Sequence, residues 1–144
     1  MTNDEPLLSV TSAHLNTGLR GIPVGTCRTS FVTQTEGVHY CGYPIAELAA
    51  MDVEDVIYLL FHKELPTAEQ SAAFRADLSA RGAVPEGLAA VYAALPREGH
   101  PMDWLSVGMH TLGMAETTGA WLEDALNLVA RMPRVMGLLF RYRA

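Results

Sequence analysis

The sequence predicts a mainly α-helical protein with one small N-terminal β-hairpin. Two observations carry this prediction. From Pro44 onward, apolar residues recur at three- and four-residue spacings in segments separated by proline and glycine, which is typical of successive amphipathic helices. Before Pro44, two runs rich in valine, threonine and aromatic residues flank the turn at 34–37, which is typical of a hairpin.

We expect one domain over residues 1–144, in which residues 1–17 are flexible. Within that segment, the acidic pair before Pro6 can begin a short helix that ends at His14. The hairpin strands are expected over 28–33 and 38–43. A lone hairpin is only marginally stable in water, so this one should pack on helices.

Four helices are predicted between Pro44 and Pro96. The first covers 45–51 with Pro44 at its first position. Asp52 and Thr67 stand where N-caps are expected, and Asp55 and Gln70 three residues later complete capping boxes. We expect the second helix to be central, because it is apolar on a wide face, and the third to lie on the surface. The fourth begins at Pro85, with buried residues expected at Leu88, Val91, Tyr92 and Leu95.

The stretch from Gly99 to Ala144 encodes two helices that are too apolar for so short a chain. In the first, Pro101 suits the first helical position and His100 the cap. Gly108 costs about 1 kcal/mol of helix propensity relative to alanine, which indicates either close approach of another backbone or neutral drift. The last helix carries two adjacent apolar stripes, a face wide enough to pack on more than one helix.

This excess of apolar surface predicts self-association. Left exposed, the two helices would show more than the few hundred Å² of apolar patch that a soluble monomer normally has. A symmetric dimer is the simplest way to cover it. The predicted dimer-interface residues are Met102, Leu105, Gly108, Met109, Leu112, Trp121, Ala125, Leu128, Met132, Val135 and Leu139.

Charge and composition exclude several classes of partner. The net charge is −6 and the arginines are scattered, so no nucleic-acid-binding face is expected. No apolar run approaches the roughly 20 residues of a membrane span, and no basic segment precedes an apolar one as in a signal peptide. Two cysteines, Cys27 and Cys41, favour a reduced, cytoplasmic setting over a disulfide scaffold.

The residues that bear chemistry form no recognisable catalytic set. His39 and Cys41 share a face of the second predicted strand, but no further ligand lies at zinc-like spacing. Cys27 has no base near it in sequence, and His100 is better explained as a cap. The early glycines do not form a phosphate-binding loop. We therefore predict no catalytic, cofactor-binding or metal-ligating residue in this chain.

Five segments, in order, resemble the citrate synthase family, which includes the 2-methylcitrate synthases. Each is a weak match alone, but their order and separations make the resemblance strong. Cys41 stands where the family usually has arginine, and Lys63 where a glycine commonly ends the helix. The segments are GLRG (Gly18–Gly21), EGVHYCGYPIAELA (Glu36–Ala49), DVIYLLFHKELPT (Asp55–Thr67), ALPREGHPMDWLSVGMHTLG (Ala94–Gly113) and ARMPRVMGLLFRYR (Ala130–Arg143).

The resemblance implies the N-terminal portion of the family's large helical domain. Family members are transferases of the tricarboxylic acid cycle and related routes, and condense acetyl-CoA, or propionyl-CoA, with oxaloacetate through an enol. Their catalytic histidines and aspartate lie beyond the segment that this chain resembles. The resemblance thus implies a fragment or split subunit that supplies scaffold and homodimer contacts, is inactive alone, and works with the remaining portion or a complementary subunit. A non-catalytic dimerisation or regulatory module related to citrate synthase is the alternative.

Overall fold

The computed structural model describes residues 6, 8–18, 20–22 and 24–143. It divides into two compact units, one up to Met51 and one from Asp52 onward. Helices predominate, as the sequence predicts, and a small antiparallel sheet lies in the first unit.

The first unit is a three-stranded meander followed by one turn of helix. Strand β1 (Ser30–Thr33) pairs with β2 (Gly37–Tyr40), which pairs with β3 (Tyr43–Pro44), all antiparallel. Helix α1 (Ile45–Leu48) follows. The start of the helix predicted before His14 lies outside the described residues, and the described part of that segment holds a 3-10 turn, Ser12–His14.

The third strand is a correction to the predicted hairpin. Residues 38–43 do not form one strand, because Cys41 and Gly42 both take positive φ angles, 50° and 92°. These signs are those of a type I′ turn, in which two residues reverse the chain. Tyr40 and Tyr43 pair across this turn. Cys41 therefore lies in a turn and shares no strand face with His39.

The second unit contains five helices in the described chain. They are α2 (Val53–His62), α3 (Ala68–Arg81), α4 (Gly87–Ala93), α5 (Pro101–Glu116) and α6 (Trp121–Arg143). Each agrees with a predicted helix to within a few residues at its ends.

The helix starts show which predicted caps form. Thr67 Oγ1 accepts from the Gln70 N–H at 3.3 Å and Gln70 Oε1 accepts from the Thr67 N–H at 2.8 Å, so this capping box is confirmed. Asp52 precedes α2, but its side chain caps nothing. The Asp52 carboxylate instead accepts a hydrogen bond from Arg75 of α3 at 2.5 Å, because that guanidinium lies close enough to compete for it.

Helix α6, not α2, is the central element of the second unit. It packs on α3, α4 and α5, whereas α2 packs chiefly on α3. Leu126 of α6 lies in a cluster with Tyr58, Phe74 and Leu78. Farther along α6, Val135 and Leu139 join a second cluster, whose other members are Leu88, Tyr92, Trp104 and Leu112. The wide apolar face predicted for α6 thus serves two clusters.

The closest contact in the second cluster involves Gly108. A Cβ at this position would lie 2.1 Å from Tyr92 Oη and 3.1 Å from Val135 Cγ1. The expected neighbour was another backbone, and the structure shows the Tyr92 ring of α4 instead. Glycine is needed because the ring occupies the space that a side chain would fill. Tyr92 Oη has no hydrogen-bond partner among the described residues, and burial raises the pKa of this phenol.

We predict that Gly108→Ala destabilises the protein by about 1–3 kcal/mol, because the clash with Tyr92 outweighs the helix propensity gained. Tyr92→Phe removes a buried, unpaired hydroxyl and should be nearly neutral or stabilising. It should also reduce the cost of Gly108→Ala. Urea unfolding of both single variants and the double variant measures this coupling.

Gly113→Ala is the matched control. Gly113 lies on the same helix as Gly108, but a Cβ at position 113 would meet no atom within 4 Å. It should leave stability unchanged or raise it by up to about 1 kcal/mol. Equal effects of the alanine at the two positions would contradict the assigned contact.

Lys63 provides a second prediction, because it ends α2 with a φ of 66°. A residue with a Cβ in this left-handed region is strained by roughly 1–2 kcal/mol. Glycine removes this strain, and the gain exceeds the extra conformational entropy that a glycine loses on folding. Lys63→Gly should therefore raise the free energy of unfolding by about 0.5 kcal/mol. Glu64→Gly, one residue later and without positive φ, should lower it. Thermal unfolding of the pair distinguishes the two effects.

Candidate functional site

Helices α5 and α6 form an antiparallel pair that carries the predicted interface. Only the residues at 117–120 join them, and Arg143 Nε at the far end of α6 donates to the Gly99 carbonyl before α5 at 3.0 Å. Asp124 fixes the connection, accepting from the Thr118 N–H at 2.8 Å and from its hydroxyl at 2.7 Å. These bonds lower the pKa of the Asp124 carboxyl.

The structure buries part of the predicted interface inside the chain itself. Gly108 and Leu112 of α5 and Val135 and Leu139 of α6 all belong to the buried interior. On α5 the buried side follows Trp104, Gly108 and Leu112, four residues apart, because this side faces α4 and α6. These four residues of the predicted interface therefore stabilise the single chain.

The other seven predicted residues remain at least partly exposed, and we call them the assembly surface. Trp121 is 77% exposed and Met102 is 58% exposed, at opposite ends of the helix pair. The set consists of Met102, Leu105, Met109, Trp121, Ala125, Leu128 and Met132. A large apolar side chain left in water forgoes about 1.5–3 kcal/mol relative to burial, so the exposure of Trp121 and Met102 is unfavourable in the single chain.

Three further apolar residues of α5 and α6 are exposed: Met114, Leu122 and Phe140. The predicted dimer interface omits these three residues because it includes only one apolar stripe of each helix. Their signal in the sequence is the second apolar stripe of α6, which contains Leu122 and Phe140.

A groove between α5 and α6 interrupts the apolar surface. Met109 and Leu128 line it together with Glu116 and Arg131, which form an ion pair between the two helices. Arg131 also donates through Nε to the Arg81 carbonyl at 3.3 Å, so its guanidinium is already engaged. The groove therefore offers apolar contact, and its one lining guanidinium is already paired.

Three histidines make contacts that give them structural roles: His100, His39 and His62. His100 Nδ1 accepts from the Met102 N–H at 3.2 Å, which confirms it as the cap of α5. His39 is 6% exposed and stacks on Phe31, with ring centroids 4.5 Å apart. His62 stacks on Tyr58 at 4.0 Å.

Cys27 is an exposed thiol that lies beside two hydroxyl groups. Its exposed Sγ lies 3.4 Å from Ser30 Oγ and 3.6 Å from Thr29 Oγ1. Hydrogen bonds from Ser30 and Thr29 lower the thiol pKa from 9.0 to about 6. No three metal-ligating side chains cluster anywhere in the described part of the chain.

No helix within the described ranges is both long and apolar enough to cross a membrane.

Comparison with known proteins agrees with this architecture. The family model described as "Citrate synthase, C-terminal domain" matches residues 18–144. The chain is 33% identical over 130 residues to 2-methylcitrate synthase of Shewanella oneidensis, covering 87% of the chain and 35% of that protein. It is 34% identical over 137 residues to citrate synthase of Mycolicibacterium smegmatis, covering 90% of the chain and 36% of that protein. The chain thus spans about a third of the length of these relatives.

Solved structures share the fold. Citrate synthase of Thermoplasma acidophilum, in a ternary complex with carboxymethyl coenzyme A and oxaloacetate, superposes with a TM-score of 0.79 at 19% identity. The match covers 88% of this chain and 35% of that one. Citrate synthase of Thermotoga maritima gives a TM-score of 0.76 at 21% identity, covering 88% and 34%. The matched residues of the family model and the identity to the relatives show that this chain belongs to the citrate synthase family.

Proposed function

We propose that this chain supplies the scaffold and assembly helices of a citrate synthase-type enzyme. That enzyme would condense acetyl-CoA, or propionyl-CoA, with oxaloacetate. The observation that carries the proposal is family membership over 18–144 combined with a span of about a third of the relatives' length. The complex of a structural neighbour with a coenzyme A analogue and oxaloacetate supports the substrate class.

The remaining portion of such an enzyme would supply the chemistry. Condensation requires a group that removes a proton from the acyl carbon and another that stabilises the enol oxygen. His39 is stacked and buried, and His100 is a helix cap, so neither is arranged for this work. We therefore propose that the chain alone neither binds acetyl-CoA productively nor turns it over. We also propose that it acts in the cytoplasm.

We further propose that the chain self-associates through the assembly surface. The supporting observation is the exposure of Trp121 and Met102 beside half-buried residues of the same two helices. The buried Gly108 and Leu112 instead contribute to the interior of the single chain, where they help to hold α5 in place.

Complementation tests the enzymatic role. The chain would be mixed with a polypeptide covering the part of the S. oneidensis 2-methylcitrate synthase that it does not match. Neither piece alone should release CoA, and the mixture should. Loss of thioester absorbance is the proper readout, since a thiol reagent would also react with Cys27. If the chain instead leaves the mixture inactive and inhibits the intact relative, the regulatory alternative gains support.

Self-association should weaken when the assembly surface is made charged. Trp121→Glu and Met102→Glu should each raise the dimer dissociation constant at least tenfold, which corresponds to about 1.4 kcal/mol. Val32→Glu is the matched control, because Val32 is 73% exposed but lies in β1. Sedimentation equilibrium measures the effect, and circular dichroism confirms that each variant folds. Equal dissociation constants for all three variants would contradict the proposal that the chain self-associates through the assembly surface.

A further inference from the structure

Cys27 and Cys41, the two cysteines of the first unit, both contact Thr29. Cys27 Sγ lies 3.6 Å from the Thr29 hydroxyl oxygen. Cys41 is the antiparallel neighbour of Thr29, and its N–H donates to the Thr29 carbonyl oxygen at 2.9 Å. The Cys41 thiol donates to the same oxygen at 3.8 Å. Both sulfurs therefore lie against the same residue, although the two cysteines are fourteen positions apart in sequence.

The two thiols differ in exposure and in the groups that contact their sulfur atoms, as a peroxide-reactive pair of cysteines requires. Cys27 is exposed and precedes β1, and Ser30 and Thr29 stabilise its thiolate, which keeps the pKa of that thiol near 6. Cys41 is half-buried in the tight turn before β3. A low-pKa, accessible cysteine beside a second, resolving cysteine is the arrangement that favours reversible oxidation.

We propose that a hydroperoxide converts Cys27 and Cys41 into a reversible intrachain disulfide, with Cys27 as the attacking thiolate and Cys41 as the resolving thiol. Cys27 sulfur attacks one peroxide oxygen, the O–O bond breaks, and the other oxygen leaves as hydroxide, giving a sulfenic acid. Cys41 sulfur then attacks Cys27 sulfur, and the sulfenic oxygen leaves as water with the Cys41 proton. For hydrogen peroxide, the two thiols lose two hydrogens and the peroxide becomes two waters.

The disulfide would join the segment before β1 to the turn between β2 and β3. This link makes the first unit sensitive to oxidant, a property separate from the condensation proposed above. A thiol reductant reverses it by exchange, in which each sulfur regains a proton and the reductant becomes the disulfide.

The test oxidises the folded full chain with hydrogen peroxide and then blocks free thiols with N-ethylmaleimide. Peptide mass spectrometry without reductant should show Cys27 linked to Cys41, with two hydrogens lost, and dithiothreitol should abolish the link. Cys41→Ser should stop the reaction at a Cys27 sulfenic acid that dimedone traps. Cys27→Ser should leave Cys41 reduced at the same peroxide dose.

Two comparisons separate the folded geometry from ordinary thiol oxidation. Ser30→Ala removes a hydrogen bond to the Cys27 thiolate and should slow linkage several-fold. Concentrated urea, which removes the shared contact with Thr29, should slow it as well. Independent oxidation of both cysteines, links between chains only, or an equal rate in urea would each overturn the proposal.

Discussion

The approach of the Tyr92 ring to Gly108 is the contact on which the second unit depends. It brings three helices together at one point, because Tyr92 lies on α4, Gly108 on α5, and the Val135 side chain on α6 completes the contact. A side chain at 108 would separate α5 from α4 and disturb the cluster containing Trp104 and Leu139. The buried hydroxyl of Tyr92, unpaired within the described chain, shows that ring packing prevails here over hydrogen bonding.

This contact also determines which apolar residues of α5 and α6 remain exposed. Once Gly108 and Leu112 face the interior, Met102 and Trp121 are left at the two ends of the helix pair. The apolar stripe of α6 differs in burial along its length: it is exposed at Trp121 and buried at Val135 and Leu139. A single periodic pattern therefore serves folding at one end and, we propose, association at the other.

The first unit carries chemistry of a different kind. Its sheet is small, and the antiparallel register of β1 with β2 brings residue 41 opposite residue 29. The result is a pair of thiols in unlike environments, one exposed and one half-buried. Neither thiol belongs to a constellation suited to condensing an acyl-CoA with a keto acid, so the proposed catalytic role rests with the rest of the enzyme.

The sequence by itself determined the helices, most of their ends, and the family. Proline positions, the Thr67–Gln70 capping box and the His100 cap act over a few residues, so local pattern reports them directly. Only the tertiary structure decided which side of α5 is buried, what approaches Gly108, and why the Asp52 carboxylate binds Arg75 in place of its own helix end. These outcomes depend on groups distant in sequence, as does the contact of Cys27 and Cys41 with Thr29. The periodicity of the sequence predicts which faces of a helix are apolar, but the neighbouring helices determine which of those faces is buried.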